Sequence, residues 1–361
     1  MFAIGENAFT DCTGLTDIRI PEKVKSIGKE AFSGCTGLTG FRIPEGVREI
    51  GEGLFANCTG LTAVTFPEGM KELADRIFEG CTGFTNAGIP EGVTEIGESA
   101  FKGCAGLTGV LLPEGLTEIG DSAFEGCCGL TDIPLPKSLL KIGRDAFKDC
   151  SGLIGVTVPE GVTEIGMGAF EDCTGLTFAE IPKSLSYIEW TVFSGCTGLV
   201  SVVIPEGVTK IGNYTFYRCT ALANAELPKS LREIGDSAFR SCTALTNIKI
   251  PESAADIGWN AFEGCTQLTR ITLPGGMTLI GDSLFKGCSD LTDIVLPDGL
   301  EWIGDEAFRG CTRLRGLVIP ESVAYIGENA FADCSEDLTA FVTPGSYAEA
   351  YCRKRGIFSV K

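Results

Sequence analysis

Proline returns every 23 residues along this chain, at 21, 44, 67, 90, 113, 136, 159, 182, 205, 228, 251, 274, 297 and 320. The next step, to Pro344, is one longer, where Ser335-Glu336-Asp337 marks an insertion, and Pro134 alone lies off the ladder. Phenylalanine follows each of the fourteen ladder prolines by eleven residues, from Phe32 to Phe331, with Phe9 ahead in the same register. Cysteine follows by fourteen, from Cys35 to Cys334, with Cys12 leading. A period this strict leaves one architecture, because a 23-residue unit cannot bury its own apolar face and must stack on copies of itself.

The unit reads P-E-G-V-x-x-I-G-x-x-A-F-x-G-C-T-G-L-T-x-I-x-I. Its last residues, as in Leu245, Ile248 and Ile250, end on strand alternation. The proline then ends the strand, having no N–H to donate. Val or Leu three residues later, Ile at six, Ala at ten and Phe at eleven give the return path an apolar side. The segment Ile-Gly-Asp-Ser-Ala-Phe at 234–239 reads as a glycine turn with an Asp cap on one short helical turn. The expectation is an α/β repeat solenoid with one strand and one loosely helical or irregular return per unit. Some fifteen coils about 4.8 Å apart would make one long parallel sheet on the order of 70 Å in arc, on the concave side of a horseshoe or curved array. Residues 1–343 form the single array and 344–361 a C-terminal cap.

These elements, L-x-x-I-x-I-P, I-G-x-x-A-F and C-T-x-L-T in register, resemble the BspA-like, or Treponema-type, leucine-rich repeats over nearly the whole chain. The segment Pro344-Gly345-Ser346-Tyr347-Ala348-Glu349-Ala350-Tyr351 resembles that family's cap, with a short helix to Arg355. The resemblance implies a curved solenoid and roles in cell-surface attachment and protein recognition, often extracellular, and does not imply an enzyme.

The chain of 361 residues has no histidine, which excludes Ser-His-Asp and Cys-His catalysis and His-ligated zinc. A net charge of −19 works against binding to phosphate backbones or anionic membranes. No apolar run approaches the roughly 20 residues of a membrane span. The start, Met1-Phe2-Ala3-Ile4-Gly5-Glu6, lacks the features of a secretory signal and lies mid-repeat without a cap. It reads as a truncated start, as part of a larger parent, or as an end covered by a partner. The compartment is a cell surface or the outside by resemblance, and the cell interior if the missing signal is genuine.

Of the 17 cysteines, fifteen hold one repeat position beside inward Phe and Leu. Rows such as Cys150, Cys173 and Cys196, with Phe170, Phe193 and Phe239, are expected to be a structural ladder of buried free thiols bonded to loop backbone. No C-x-x-C spacing supports a metal, and no cofactor is indicated. Off the ladder, Cys128 and Cys352 are the more reactive candidates, although an inert, partly buried thiol is the preferred reading even there.

The third and fifth strand positions should face outward, giving a variable and rather small face in an acidic protein. Apolar departures cluster mid-chain at Ile154, Phe178, Val200 and Val203, and aromatic ones at Tyr187, Trp190, Tyr214 and Tyr217, then Trp259, Trp302 and Tyr325. Both sets are candidate partner-binding residues. The alternatives are ordinary surface apolars for the first set and core cover for the second. Regular threonine rows suggest ice or polysaccharide, but this row breaks at Ile154, Val200, Ala223 and Arg315. The leading function is therefore a non-catalytic protein-recognition module, an adhesin or host- or matrix-interaction protein using the concave sheet and its edges. The rival is a structural or scaffolding subunit of a larger intracellular assembly.

Overall fold

The computed structural model describes residues 2–360; Met1 and Lys361, the outermost residues of the expected array and cap, lie outside them. The chain comprises two compact units, one running to Ser184 and the other from Leu185. Each is a solenoid of stacked coils.

In the first unit, three-residue strands recur at the expected place: Gly40–Arg42, Ala63–Thr65, Asn86–Gly88, Gly109–Leu111, Gly155–Thr157 and Phe178–Glu180. Their middle residue faces in and the flanking two face out, as in Phe178–Glu180, where Ala179 is buried. Pairing is parallel and offset by one repeat, so Gly155, Val156 and Thr157 oppose Phe178, Ala179 and Glu180. The second unit repeats this from Ser201–Val203 onward.

The return path departs from the expectation in two ways. Each coil makes a second parallel strand of two residues, as at Glu95–Ile96, Glu118–Ile119 and Lys141–Ile142. There are thus two ladders of strands per unit rather than one sheet. The second is short because the next residue is the repeat glycine, whose N–H still reaches back a coil (Gly120 to Ile96 O, 2.8 Å) but whose chain then turns. The rest of the return is turn, not helix. The second and sixth residues after that glycine are left-handed, as at Ser99 (φ 54°) and Gly103 (φ 71°). Two such residues four apart stop a right-handed helix before it completes a turn. Among the described residues the one α-helix is Tyr347–Arg355.

The core is made of rows. Phe101, Phe124 and Phe147 stack at 5.2 and 5.3 Å between centroids with planes within 2°. Phe239 and Phe262 stack at 5.6 Å and 4°. Beside them the return backbone bonds coil to coil, Phe101 N–H donating to Ala123 O at 2.7 Å. Buried ladder thiols donate to the phenylalanine carbonyl of the preceding coil, as Cys58 to Phe32 O (3.0 Å) and Cys265 to Phe239 O (3.1 Å). Cys150, Cys173 and Cys196 are fully buried in this row, as are Phe170, Phe193 and Phe239 in theirs. No disulfide forms among the described residues.

One junction in the first unit is open. No strand pairing joins Glu49–Ile50 to Glu72–Leu73, or Ala63–Thr65 to Asn86–Gly88, although the coils on either side pair normally. The inward residues Ile50, Val64 and Phe66 are accordingly only half-buried, and clefts of about 470 and 160 Å³ open on the two sides. The sequence supplies the cause. Ala74 stands where the neighbouring coils have glycine. At those glycines a Cβ would lie 2.3 Å from the Lys29 backbone nitrogen (Gly51) or 2.6 Å from Leu73 O (Gly97). A methyl group at this position must therefore push the preceding coil away. The return side stays closed: Phe55 N–H donates to Ile77 O at 3.0 Å, and Arg76 bridges Glu52 (3.0 Å) and Glu79 (2.6 Å).

The second unit ends with Thr339–Val342, the helix and a last strand, Phe358–Val360, which pairs with Thr339–Phe341. Ser346 caps the helix start and left-handed Gly356 its end. Tyr351 donates to Gly327 O at 3.0 Å, tying the helix to the last full coil.

Candidate interaction surface

In the first unit the outward strand face carries Ile154 (56% exposed) and Phe178 (47% exposed). Thr177 N–H donates to Ile154 O, so the two side chains belong to adjacent coils. The Phe178 ring covers Gly155 of the neighbouring strand; a Cβ on that glycine would meet the ring at 2.1 Å. Next to it, residues 132–134 form no strand, since Pro134 removes a ladder donor. The interrupted sheet and the aromatic shelf bound a groove of about 720 Å³ lined by Pro134, Gly155, Thr157, Pro159, Phe178 and Glu180, among others. It joins an apolar floor to a few charges, the mixture that seats a polypeptide side chain.

In the second unit the residues singled out from the sequence fall on three faces. Val200 (52% exposed) and Val203 (57%) stand on the outward strand face. Tyr187 is on the two-residue ladder, opposite Lys210, and the indole of Trp190 reaches over Gly212 of the next coil. Tyr214 and Tyr217 occupy the return, edge to face at 5.7 Å, with the Arg218 and Arg240 guanidinium groups 5.7 and 6.0 Å from the Tyr217 ring. These six residues of the second unit are spread over different faces of its coils.

Several exposed apolar residues lie outside the sets that the sequence pointed to. Leu111 (69% exposed), Val295 (69%), Val318 (66%) and Phe341 (44%) hold the same strand position as Val203, and Val318 and Phe341 are partners in register with Val360 beyond. Their signal was present in the sequence, because that position faces out in every coil.

The thiols are chemically quiet. Burial pushes Cys58, Cys104, Cys150 and Cys265 up to about 12 and Cys334 to about 11, and lifts Cys173 and Cys242 well above the ordinary thiol range. A protonated thiol is a poor nucleophile. Cys128 is exposed, as expected of a reactive candidate, but Cys352 is buried on the inner side of the cap helix, and burial raises it. Cys12, in the ladder register, is exposed rather than buried. Threonine hydroxyls of the row before the strand are committed to the preceding coil, as Thr108 to Thr85 O (3.0 Å) and Thr269 to Thr246 O (3.1 Å). Among the described residues no group of three or more His, Cys, Asp or Glu is placed to hold a metal ion, and no helix is long and apolar enough to cross a membrane.

A family model described as the BspA type leucine-rich repeat region matches in six copies, covering residues 3–131, 117–244 and 209–339. Among solved structures, a leucine-rich repeat protein from Bacteroides ovatus is 30% identical over 81% of this chain and 87% of its own, with a TM-score of 0.65. A leucine-rich cell surface protein from Faecalibacterium prausnitzii is 30% identical over 86% and 91%, with a TM-score of 0.52. The pneumococcal vaccine antigen PcpA shares the fold at 18% identity, over 96% of this chain and 87% of its own, with a TM-score of 0.51. A search of curated proteins found no match.

Proposed function

Because this chain belongs to the family of BspA-type leucine-rich repeat proteins, we propose that it is a non-catalytic protein-recognition module acting at a cell surface. It binds a host or matrix protein through the outward strand face, the concave side of the array in this reading. The observation that carries it is the Phe178 shelf over Gly155 beside the strandless Pro134 segment, an exposed aromatic anchor in a groove. The Faecalibacterium relative is itself a cell surface protein. No nucleophile–base pair accompanies the groove.

The test is surface plasmon resonance against a panel of purified extracellular-matrix proteins, comparing the parent chain with Phe178→Ser and Val203→Ser. Burying a phenylalanine against a partner is worth about 1.5–3 kcal/mol. The Phe178→Ser variant should therefore weaken a genuine contact by tenfold or more while its melting temperature stays within a few degrees. Binding unchanged by both substitutions would remove the strand face from consideration. The second reading, a scaffolding subunit of an intracellular assembly, is favoured by the abundance of buried thiols. It calls for stable co-purifying subunits and no matrix binding.

A further inference from the structure

The second unit carries a different surface on its two-residue ladder. There Leu279, Trp302 and Tyr325 are partners in register and form one outward row. Trp302 and Tyr325 stack at 3.8 Å between centroids and 20° between planes, and Leu279 and Trp302 remain 45% and 43% exposed. The Trp259 indole, 58% exposed, stands in the preceding coil three residues beyond Asp256 and lies over Gly281 next to the row, where its Cδ1 occupies the space a Cβ would need. Most other coils put Glu, Lys or Asp at the row's position, as at Glu233 and Asp256, with exceptions such as Ser26 and Tyr187.

Three residues further along each coil runs a row of carboxylates: Asp282, Asp305 and Glu328. One oxygen of Asp282 accepts the Asp305 N–H (2.8 Å), and one of Asp305 accepts the Glu328 N–H (2.9 Å). Each carboxylate is thereby fixed with its charge beside the aromatic row. Glu301, next to Trp302, adds another. Tyr325 registers this surrounding: desolvation raises its phenol, and Asp305, Tyr347, Asp282 and Glu328 push in the same direction. Lys286 and Arg309 pair with Glu306 and Arg313 with Asp290, away from the row, whereas Arg355 pairs with Glu328 at 3.1 Å, so Asp282 and Asp305 carry the row's open charge.

An exposed aromatic row alongside fixed carboxylates attracts cations twice, through ring faces and through charge. We propose that the Leu279–Trp302–Tyr325 row, with Trp259 beside its first coil and Asp282 and Asp305 alongside, docks an extended Arg- or Lys-rich segment of a partner protein. Guanidinium or ammonium groups would sit over the indoles and pair with the carboxylates, while the aliphatic stems cover Leu279. This surface is independent of the Phe178 groove, so either can fail without the other.

The test tracks labelled hexa-arginine by fluorescence anisotropy, with hexa-glutamate and a Gly-Ser hexamer as controls. Saturable one-to-one binding of the arginine peptide is expected, weakening as salt rises. It should fall at least tenfold in Trp302→Ala, and likewise in the double variant Asp282→Asn with Asp305→Asn, whose amide oxygens retain the backbone caps. Trp259→Ala, at a more exposed position, repeats the aromatic test should Trp302→Ala lose its far-ultraviolet dichroism. A matched double variant, Glu72→Gln with Glu95→Gln, removes the same charge in the first unit and should bind like the parent. Equal weakening by both double variants would assign the attraction to net charge alone and overturn the proposal. So would the absence of saturable binding, or unaltered affinity in the aromatic variants.

Discussion

At the scale of single residues, the repeat gives each side chain a fixed set of neighbours. Phe239 is fully buried, stacked between Phe216 at 5.2 Å and Phe262 at 5.6 Å, and its carbonyl accepts the Cys265 thiol. Truncation leaves a cavity that two flanking coils cannot fill, since both are held by backbone ladders. Phe239→Ala should cost about 3–5 kcal/mol, read from urea denaturation. A loss below about 1 kcal/mol would mean that the row contributes little to the core. The cysteine row answers a local need: a short donor must reach the preceding coil's carbonyl inside an apolar layer, and a thiol does so while burying little polarity.

At the scale of elements, the glycine before the return lets the preceding coil approach closely, and in the first unit Ala74 marks the junction that lacks it. Ala74→Gly should close the junction, restore two to three backbone hydrogen bonds and raise stability by about 1–3 kcal/mol, against the ordinary cost of glycine. Hydrogen exchange of the amides at 71–74 and 85–89 would report the closure. Unchanged exchange there would show that Met70 or Phe66, not Ala74, holds the junction open. The strand positions and buried rows were legible in the sequence because each repeats through fourteen copies at fixed spacing. The second ladder was not, since two residues are too few to show alternation. The helical turn expected at 234–239 fails on Ser237, left-handed at φ 54°: serine after Asp signals a helix cap as readily as a turn. The open junction falls at one of two gaps in the glycine column, Ala74 and Glu189, but the effect of a gap depends on where the neighbouring backbone lies. Among candidate binding residues, Phe178 and Val203 were legible as outward-facing. The way a ring covers Gly155 was not, because that depends on a rotamer and on the neighbouring strand.

For the whole molecule, the thiol rows add up. An unfolded thiol titrates near 8.5, whereas burial holds Cys58, Cys150 and Cys265 at about 12 and Cys334 at about 11. Their folded values are raised, so this contribution is intact below about pH 8.5. Above it the unfolded chain sheds protons that the folded chain keeps. Stability then falls until the folded values are reached, at about 1.4 kcal/mol per thiol per pH unit. The urea midpoint should drop steeply from about pH 8.5 to 10.5, and less so when several ladder cysteines are replaced by alanine. A midpoint flat across that range would mean that the thiols are not held protonated by the fold.

The bond from each thiol to the carbonyl 26 residues earlier has a further consequence. The partner is defined by its place in the unit and not by its identity, so any whole coil offers its successor the same acceptor. Copy number within a unit is therefore a neutral variable: a duplicated or deleted coil inherits complete bonding from its new neighbour. A shift of one residue, by contrast, puts phenylalanine, cysteine and glycine out of phase together. The chain can change length in steps of 23, and the variable outward faces can be reshuffled as intact cassettes without altering the frame that displays them.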